Sequence, residues 1–192
     1  MRFDLTKLES WIQPNQSVLD CGCGDGELLQ QLQQKKNIFA YGIENEIKKV
    51  EICIEKGVQV VQQNLEQGLA LFEDNFFDVV ILSQTLQTIH NTEHILKEVV
   101  RVGKKAIITF PNFGYWKHRI SVLKGRMPVS KSLPFEWYNT PNVRVLTLAD
   151  FEALANEAGL KLLERIVLHE NKIIDFAENL RGSLVLYLVT KK

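Results

Sequence analysis

Cysteine, net charge and long apolar runs are all scarce in this sequence of 192 residues. Three cysteines, Cys21, Cys23 and Cys53, are too few for a disulfide framework, and no second close pair completes a zinc site. Basic and acidic residues each number 23, so the basic excess or stripe typical of nucleic-acid binding is not visible. No apolar run reaches the roughly 18 residues of a membrane span, and the N-terminus lacks an apolar signal core. We therefore expect a cytoplasmic protein without nucleic-acid or membrane partners.

What the sequence does have is a regular alternation of strand-like and helix-like segments. The apolar patterns predict strands at 16–20, 37–44, 58–62, 76–83, 104–110, 161–170 and 183–192, and helices at 4–12, 25–35, 45–57, 92–103 and 146–160. Such alternation builds a parallel sheet with right-handed crossovers. The prediction is a single α/β domain over residues 1–192, a three-layer sandwich around a mostly parallel seven-stranded sheet whose last strand is antiparallel. Asp4 is the predicted cap of the first helix.

The stretch "VLDCGCGDGELL" carries the most specific signal, because Gly22, Gly24 and Gly26 lie between a predicted strand and a helix. Glycine permits positive φ and lets a ligand approach the backbone. The spacing is G-x-G-x-G, whereas the nicotinamide-dinucleotide fingerprint is G-x-G-x-x-G. Two acidic residues, Asp25 and Glu27, lie at the mouth of the helix and would repel a pyrophosphate. They favour a ligand that carries positive charge.

Further polar residues follow neighbouring strands. In parallel sheets ligands bind beyond the carboxyl ends of the strands, which would bring Asp20–Gly26, Glu44, Asn64 and Ser83 to one edge. Glu44 lies 18 residues past Gly26, where a carboxylate can accept both ribose hydroxyls. Asn64 could meet the edge of an adenine, and Leu65 could cover its face.

Together these features indicate adenosine attached to a cation, as in S-adenosylmethionine, or its product S-adenosylhomocysteine. The candidate cofactor-binding residues are Asp20, Gly22, Cys23, Gly24, Gly26, Glu44, Asn64, Leu65 and Ser83. A tight turn with no ligand, and a nicotinamide cofactor, are the alternatives. The glycine spacing disfavours the second.

No catalytic base is recognisable. The segment "SQTLQ" after the fourth strand is polar and uncharged, and its plainer interpretation is a helix start capped by Ser83. "HNTEH" matches a zinc-hydrolase pattern, but Asn91 and Thr92 are good helix caps. A helix that begins between His90 and His94 would separate the two histidines, so we expect no metal site.

Residues 111–142, here called the aromatic segment, interrupt the regular pattern. This stretch contains four of the five prolines and two of the three tryptophans. It is too apolar for disorder and too irregular for a simple crossover. Three interpretations remain open: an insertion that fills the core, a protein interface, or a lid over a small methyl acceptor.

Several of these motifs resemble known families. "VLDCGCGDG", "YGIE", "FFDVVILS" and "ADFEALANEAGL" resemble class I S-adenosylmethionine-dependent methyltransferases, which implies their Rossmann-like fold and cofactor. "SQTLQ", "FPNFGYW" and "LPFEWYNTPN" resemble the methionine biosynthesis protein MetW family. That resemblance implies a cofactor-binding protein that acts with homoserine O-acyltransferase. The sequence departs from the usual pattern at Cys21, where the family's D-L-G-C-G has leucine, and at Asn64, where an acidic residue is usual.

The functional expectation is thus a methyltransferase-like protein of methionine biosynthesis. The rival expectation is an active methyltransferase on an unidentified small acceptor. A third is a fold that binds no cofactor.

Overall fold

The computed structural model describes residues 5–192, and its sheet contains all seven predicted strands plus one more. The strands are β1 Ser17–Cys21, β2 Phe39–Glu44, β3 Gln59–Gln62, β4 Phe77–Ser83, β5 Gly103–Pro111, β6 Leu160–His169, β7 Lys172–Ile173 and β8 Leu184–Lys191. The two-residue β7 was not predicted, because a strand this short has no measurable alternation. It pairs with the end of β6 through Leu168 and Ile173.

The five predicted helices are also present, with two short helices that were not predicted. The helices are α1 Leu5–Glu9, α2 Glu27–Lys36, α3 Ile47–Glu55, α4 Thr92–Val102, α5 Trp116–Leu123, α6 Leu148–Glu157 and α7 Glu178–Arg181. The predicted cap Asn91 is confirmed, since its side chain accepts a hydrogen bond from the His94 N–H. Gly57, at φ 73°, follows the end of α3 as expected. Asp4, the predicted cap of α1, lies outside the described residues.

The strand order is β3-β2-β1-β4-β5-β8-β6-β7. Strands β1 to β5 are mutually parallel, so their carboxyl ends meet at one edge of the sheet. Strand β8 runs antiparallel to both β5 and β6, which confirms the predicted antiparallel ribbon. Because of these reversals, the end of β6 and the start of β8 reach the same edge as the end of β5. We call it the carboxyl edge.

Each face of the sheet is covered by helices, which gives the three predicted layers. In β4, Val80 and Leu82 belong to the hydrophobic cluster beneath α4 and α6. Val79 and Ile81 belong to the cluster on the opposite face, which includes residues of α1, α2 and α3. A strand that is buried on both faces has a nearly continuous apolar sequence, and "FFDVVILS" is such a sequence.

An ion pair on α4 predicts how the fold responds to acid. The carboxylate of Glu98 accepts two hydrogen bonds from Arg101, at 2.6 and 2.9 Å, and one from the Leu69 N–H at 2.9 Å. The bonds to Arg101 are the largest cause that lowers the pKa of Glu98 below its ordinary 4.5. The stabilisation is therefore complete above pH 4.5 and is lost as the pH falls through the lower, folded pKa.

We expect Glu98→Gln to cost about 1–2 kcal/mol of unfolding free energy at pH 7, and less at pH 3. Urea titrations at the two pH values measure this difference. Glu93→Gln is the matched control on the same helix, because Glu93 forms only an exposed ion pair with Lys97. An equal loss at both pH values for Glu98→Gln would contradict the assignment.

Candidate functional site

The loop that follows β1 has a backbone that only glycine accommodates well. Gly22, Gly24 and Gly26 adopt φ angles of 82°, 60° and 73°. A Cβ at Gly22 would come within 2.6 Å of the Thr85 Oγ1, and one at Gly26 within 2.9 Å of the Cys53 Sγ. Both the backbone conformation and the neighbouring side chains therefore exclude a larger residue at these two positions.

Alanine substitutions separate these two constraints. We expect Gly57→Ala to cost about 1 kcal/mol of stability, because its φ is positive but no atom lies within 4 Å of the added Cβ. Gly22→Ala meets the same backbone penalty and the Thr85 side chain, and we expect a cost of about 2 kcal/mol. Thermal or urea unfolding of the two variants provides the measurement. Equal costs would mean that Thr85 moves aside freely.

Glu44 ends β2 and joins the glycine loop directly. Its Oε2 accepts a hydrogen bond from the Gly24 N–H at 2.9 Å. Its Oε1 accepts from the N–H groups of Asn45 and Glu46, at 2.8 and 2.9 Å. A carboxylate offers about four acceptor positions, and backbone donors use three of them here. A ribose diol that binds Glu44 through both hydroxyls would have to replace at least one of these donors.

The cysteines near the loop are buried and protonated. Burial, and then the charge of Asp20, raise the pKa of both Cys21 and Cys23. Cys53 lies on α3 with its sulfur 3.9 Å from that of Cys23, and its thiol donates to the Gly24 carbonyl at 3.2 Å. All three cysteines are free, as the sequence predicted. They act as small core residues, and Asp20 is buried beside them at 3% exposure.

The acidic residues of the loop are less available to a ligand than the sequence suggested. Asp25 forms an ion pair with Lys56 at 3.1 Å, and the Lys56 ammonium also donates to the Asp25 carbonyl. Lys56 thus compensates part of the negative charge at the mouth of α2. Asp25 therefore favours a cationic ligand less strongly than the sequence alone implied.

Asn64 and Leu65 follow β3, and each has a structural role. The Asn64 side chain accepts from the Glu66 N–H at 3.0 Å and caps a 3₁₀ turn, Leu65–Gln67. Leu65 is 9% exposed and belongs to the core beneath α4 and α6. Asn64 remains at the surface at the carboxyl edge, where its amide group could still meet a ligand.

Ser83 does not cap a helix, so that interpretation was wrong. Ser83 ends β4, where its hydroxyl shares a hydrogen bond of 3.2 Å with the Thr109 hydroxyl across the strand pair. The next residue, Gln84, has a φ of 56°, which is unusual for a residue with a side chain. A short 3₁₀ turn, Leu86–Thr88, then begins after Thr85. No residue pattern around Gln84 predicts its positive φ.

The turn Leu86–Thr88 lies between the glycine loop and the end of the aromatic segment. Thr85, at its start, faces Gly22. The Gln87 carbonyl accepts hydrogen bonds from the N–H groups of Val143 and Arg144, at 2.9 and 3.0 Å. Gln87 is 5% exposed, and no described residue donates to its side-chain oxygen.

The motif "HNTEH" does not form a metal site in the part of the chain that the structure describes. His90 precedes α4, whereas His94 lies within it, as the caps predicted. Among residues 5–192, no cluster of three or more His, Cys, Asp or Glu side chains could hold a metal ion. Over the same range, no helix is both long and apolar enough to cross a membrane.

The aromatic segment divides into an anchored start and an exposed remainder. Tyr115 is 3% exposed, and its hydroxyl lies 3.2 Å from the His169 ring. Trp137 and Tyr138, by contrast, are 71% and 70% exposed. The core-filling interpretation therefore fits Tyr115 but not the two later aromatic residues.

A parallel sheet in this order, with an antiparallel final ribbon and a glycine loop beside a carboxylate, defines the class I S-adenosylmethionine-dependent methyltransferase fold. Solved structures of that class superpose on the chain. A methyltransferase from Archaeoglobus fulgidus gives a TM-score of 0.73 at 17% identity, over 98% of this chain and 91% of that one. Magnesium protoporphyrin IX methyltransferase from Synechocystis PCC 6803, with bound S-adenosylhomocysteine, gives 0.68 at 14% identity, over 98% and 82%.

The chain belongs to the methionine biosynthesis protein MetW family, whose model matches residues 2–189. It is similar to a bifunctional methionine biosynthesis protein MetXA/MetW from Rhodopirellula baltica. The two are 37% identical over 165 residues, which cover 81% of this chain and 26% of that protein. The chain spans about a quarter of the length of the curated relatives it matches. The family resemblance and the fold inferred from the sequence are both confirmed.

Proposed function

We propose that this chain binds S-adenosylmethionine, or S-adenosylhomocysteine, at the carboxyl edge of the sheet. The observation that carries the proposal is the contact between the Gly24 N–H and the Glu44 carboxylate. This hydrogen bond places the glycine loop next to a carboxylate whose position suits the binding of ribose hydroxyls. The residues of the site fit such a ligand, since Gly22, Gly24 and Gly26 leave the loop without side chains and the Glu44 carboxylate lies beside it.

The roles we propose for individual residues follow from their positions. Gly22, Gly24 and Gly26 would lie against the methionine part, Glu44 would accept the ribose, and Asn64 would meet the adenine. Asp20, Cys23, Leu65 and Ser83 would shape the surroundings. When bound, the cofactor supplies an electrophilic methyl group. The turn Leu86–Thr88 and the preceding "SQT" contain no recognisable base, which an acceptor needs only if it must lose a proton, so methyl transfer is the alternative role.

We further propose that the chain acts with homoserine O-acyltransferase in cytoplasmic methionine biosynthesis. The family resemblance implies this partner. The relative whose name joins MetXA and MetW supports it, because one chain then carries both parts. Fusion keeps two units at a high effective concentration, which is useful when they act together.

The experiment that tests this role is an acyltransferase assay on the same organism's enzyme, with and without this chain. We expect a clear rise in rate at equimolar addition, and co-elution of the two proteins in size-exclusion chromatography. An unchanged rate together with separate elution would overturn the proposal. Transfer of a radiolabelled methyl group into a cell extract would instead identify an active methyltransferase.

A further inference from the structure

The aromatic segment exposes an unusual concentration of apolar side chains. Its exposed large hydrophobic residues are Trp116, Ile120, Val122, Leu123, Met127, Val129, Phe135, Trp137 and Tyr138. Leu123 is 86% exposed, and the Trp137 and Tyr138 rings touch mainly each other, with centroids 5.8 Å apart. A contiguous stretch with this much exposed apolar and aromatic surface is characteristic of a binding surface.

Helix α5 presents an apolar stripe away from the core. Trp116, Ile120 and Leu123 are four and three residues apart, so they lie on one face of the helix. On the opposite face, His118 is the buried residue of α5, at 1% exposure. The helix therefore buries His118 and exposes its apolar stripe, and Lys117 and Arg119 are exposed as well.

The aromatic segment also contains an excess of basic residues. Its basic residues are Lys117, Arg119, Lys124, Arg126 and Lys131, and Glu136 is its one acidic residue. The balanced charge of the whole chain conceals this basic stretch, which we did not predict. Lys124 and Arg126 are exposed, and no described residue forms an ion pair with either. A surface of this kind favours a partner with acidic groups around an apolar centre.

Buried hydrogen bonds hold the segment in place. The His118 Nδ1 lies 3.1 Å from the Asn112 carbonyl, which only accepts, so Nδ1 carries the proton and Nε2 accepts from the Ser130 hydroxyl at 2.9 Å. Burial lowers the pKa of His118, which is consistent with this neutral form. The bonds tie α5 to the loop that contains Ser130. A surface fixed before binding loses little entropy when a partner docks.

We propose that the exposed face of the aromatic segment is the docking surface for homoserine O-acyltransferase, with Trp137 and Tyr138 as its anchors. The inference rests on the proposed function, which supplies the partner. Exposed aromatic residues, an outward apolar stripe and exposed basic residues, all of which this segment contains, are features of protein interfaces. Nucleic acid, which also binds basic and aromatic surfaces, is the competing occupant.

The test compares the affinity of the acyltransferase for the wild-type chain and for Trp137→Ala/Tyr138→Ala, by calorimetry. We expect the double variant to bind about 30-fold more weakly or worse, since central aromatic residues dominate interface energy. Phe39→Ala is the matched control. Phe39 is 63% exposed at the start of β2, the opposite edge of the sheet, and its loss should leave the affinity unchanged.

A second variant pair tests the charge. Lys124→Glu/Arg126→Glu should slow association several-fold at low salt, with a smaller effect at high salt. Equal affinity of wild-type chain and aromatic double variant would overturn the proposed surface while leaving the proposed function intact. Failure of the wild-type chain itself to bind the enzyme would overturn the function. Salt-sensitive binding of an RNA or DNA oligonucleotide, lost in the same double variant, would assign the surface to nucleic acid instead.

Discussion

Glu44→Ala should weaken binding of S-adenosylmethionine by about 2–3 kcal/mol, or roughly 30- to 150-fold in Kd. Two effects contribute to this loss. The variant removes the acceptor proposed for the ribose, and it leaves the Gly24 N–H without the carboxylate that fixes the loop. Isothermal titration calorimetry with the purified chain measures the change directly.

Glu46→Ala is the control for Glu44, because it removes a carboxylate two residues away at the start of α3. The Glu46 side chain pairs with Lys49 at 2.7 Å on the surface, and within residues 5–192 it forms no hydrogen bond or ion pair with the glycine loop. Its loss should leave the affinity within about twofold. If Glu44→Ala folds normally and binds the cofactor as tightly as the wild-type chain, Glu44 is not the ribose acceptor.

Asn112→Ala should lower the unfolding free energy by about 3 kcal/mol. Asn112 is fully buried where β5 passes into the aromatic segment. Its amide nitrogen donates to the carbonyls of Asn179 and Gly182, at 3.0 and 2.8 Å, and its side-chain oxygen accepts from the Gly114 N–H at 2.9 Å. Removing the side chain takes this partner from the buried Gly182 carbonyl and Gly114 N–H and from the partly buried Asn179 carbonyl, each at a cost of about 1 kcal/mol.

Urea unfolding measures the effect, with Asn139→Ala as the control from the exposed part of the same segment. The control should change stability by less than about 0.5 kcal/mol. Asn112→Asp tests the donor side alone, because a carboxylate still accepts from Gly114 but faces two carbonyls. We expect it to be at least as destabilising as alanine. If neither variant changes the unfolding free energy, the side-chain hydrogen bonds of Asn112 do not stabilise the fold.

The elements of this fold could be predicted because each one carries a strong local pattern. Continuous apolar runs marked β4 and β5, and Asn91 and Gly57 marked helix ends through capping chemistry. Two-residue β7 and the short helices α5 and α7 escaped prediction. Their formation depends on tertiary contacts, such as the pairing of β7 with β6, rather than on periodicity.

The candidate site was less predictable than the fold. The positions of Gly22, Gly26 and Glu44 followed from the rule for parallel sheets. The sequence did not reveal which hydrogen bonds and ion pairs the polar side chains of the site already form. Lys56, which follows the end of α3, forms an ion pair with Asp25. The Asn64 side-chain oxygen accepts a hydrogen bond that caps the turn Leu65–Gln67. Such contacts depend on how the elements pack in three dimensions, and residue spacing in the sequence does not predict that packing.

The turn Leu86–Thr88 lies between the glycine loop and the chain just beyond the aromatic segment. Thr85, at its start, packs on Gly22, and Gln87 holds the chain as it leaves the aromatic segment at Val143. If cofactor and acyltransferase favour different positions of this turn, thermodynamic linkage requires each to change the affinity of the other by the same factor.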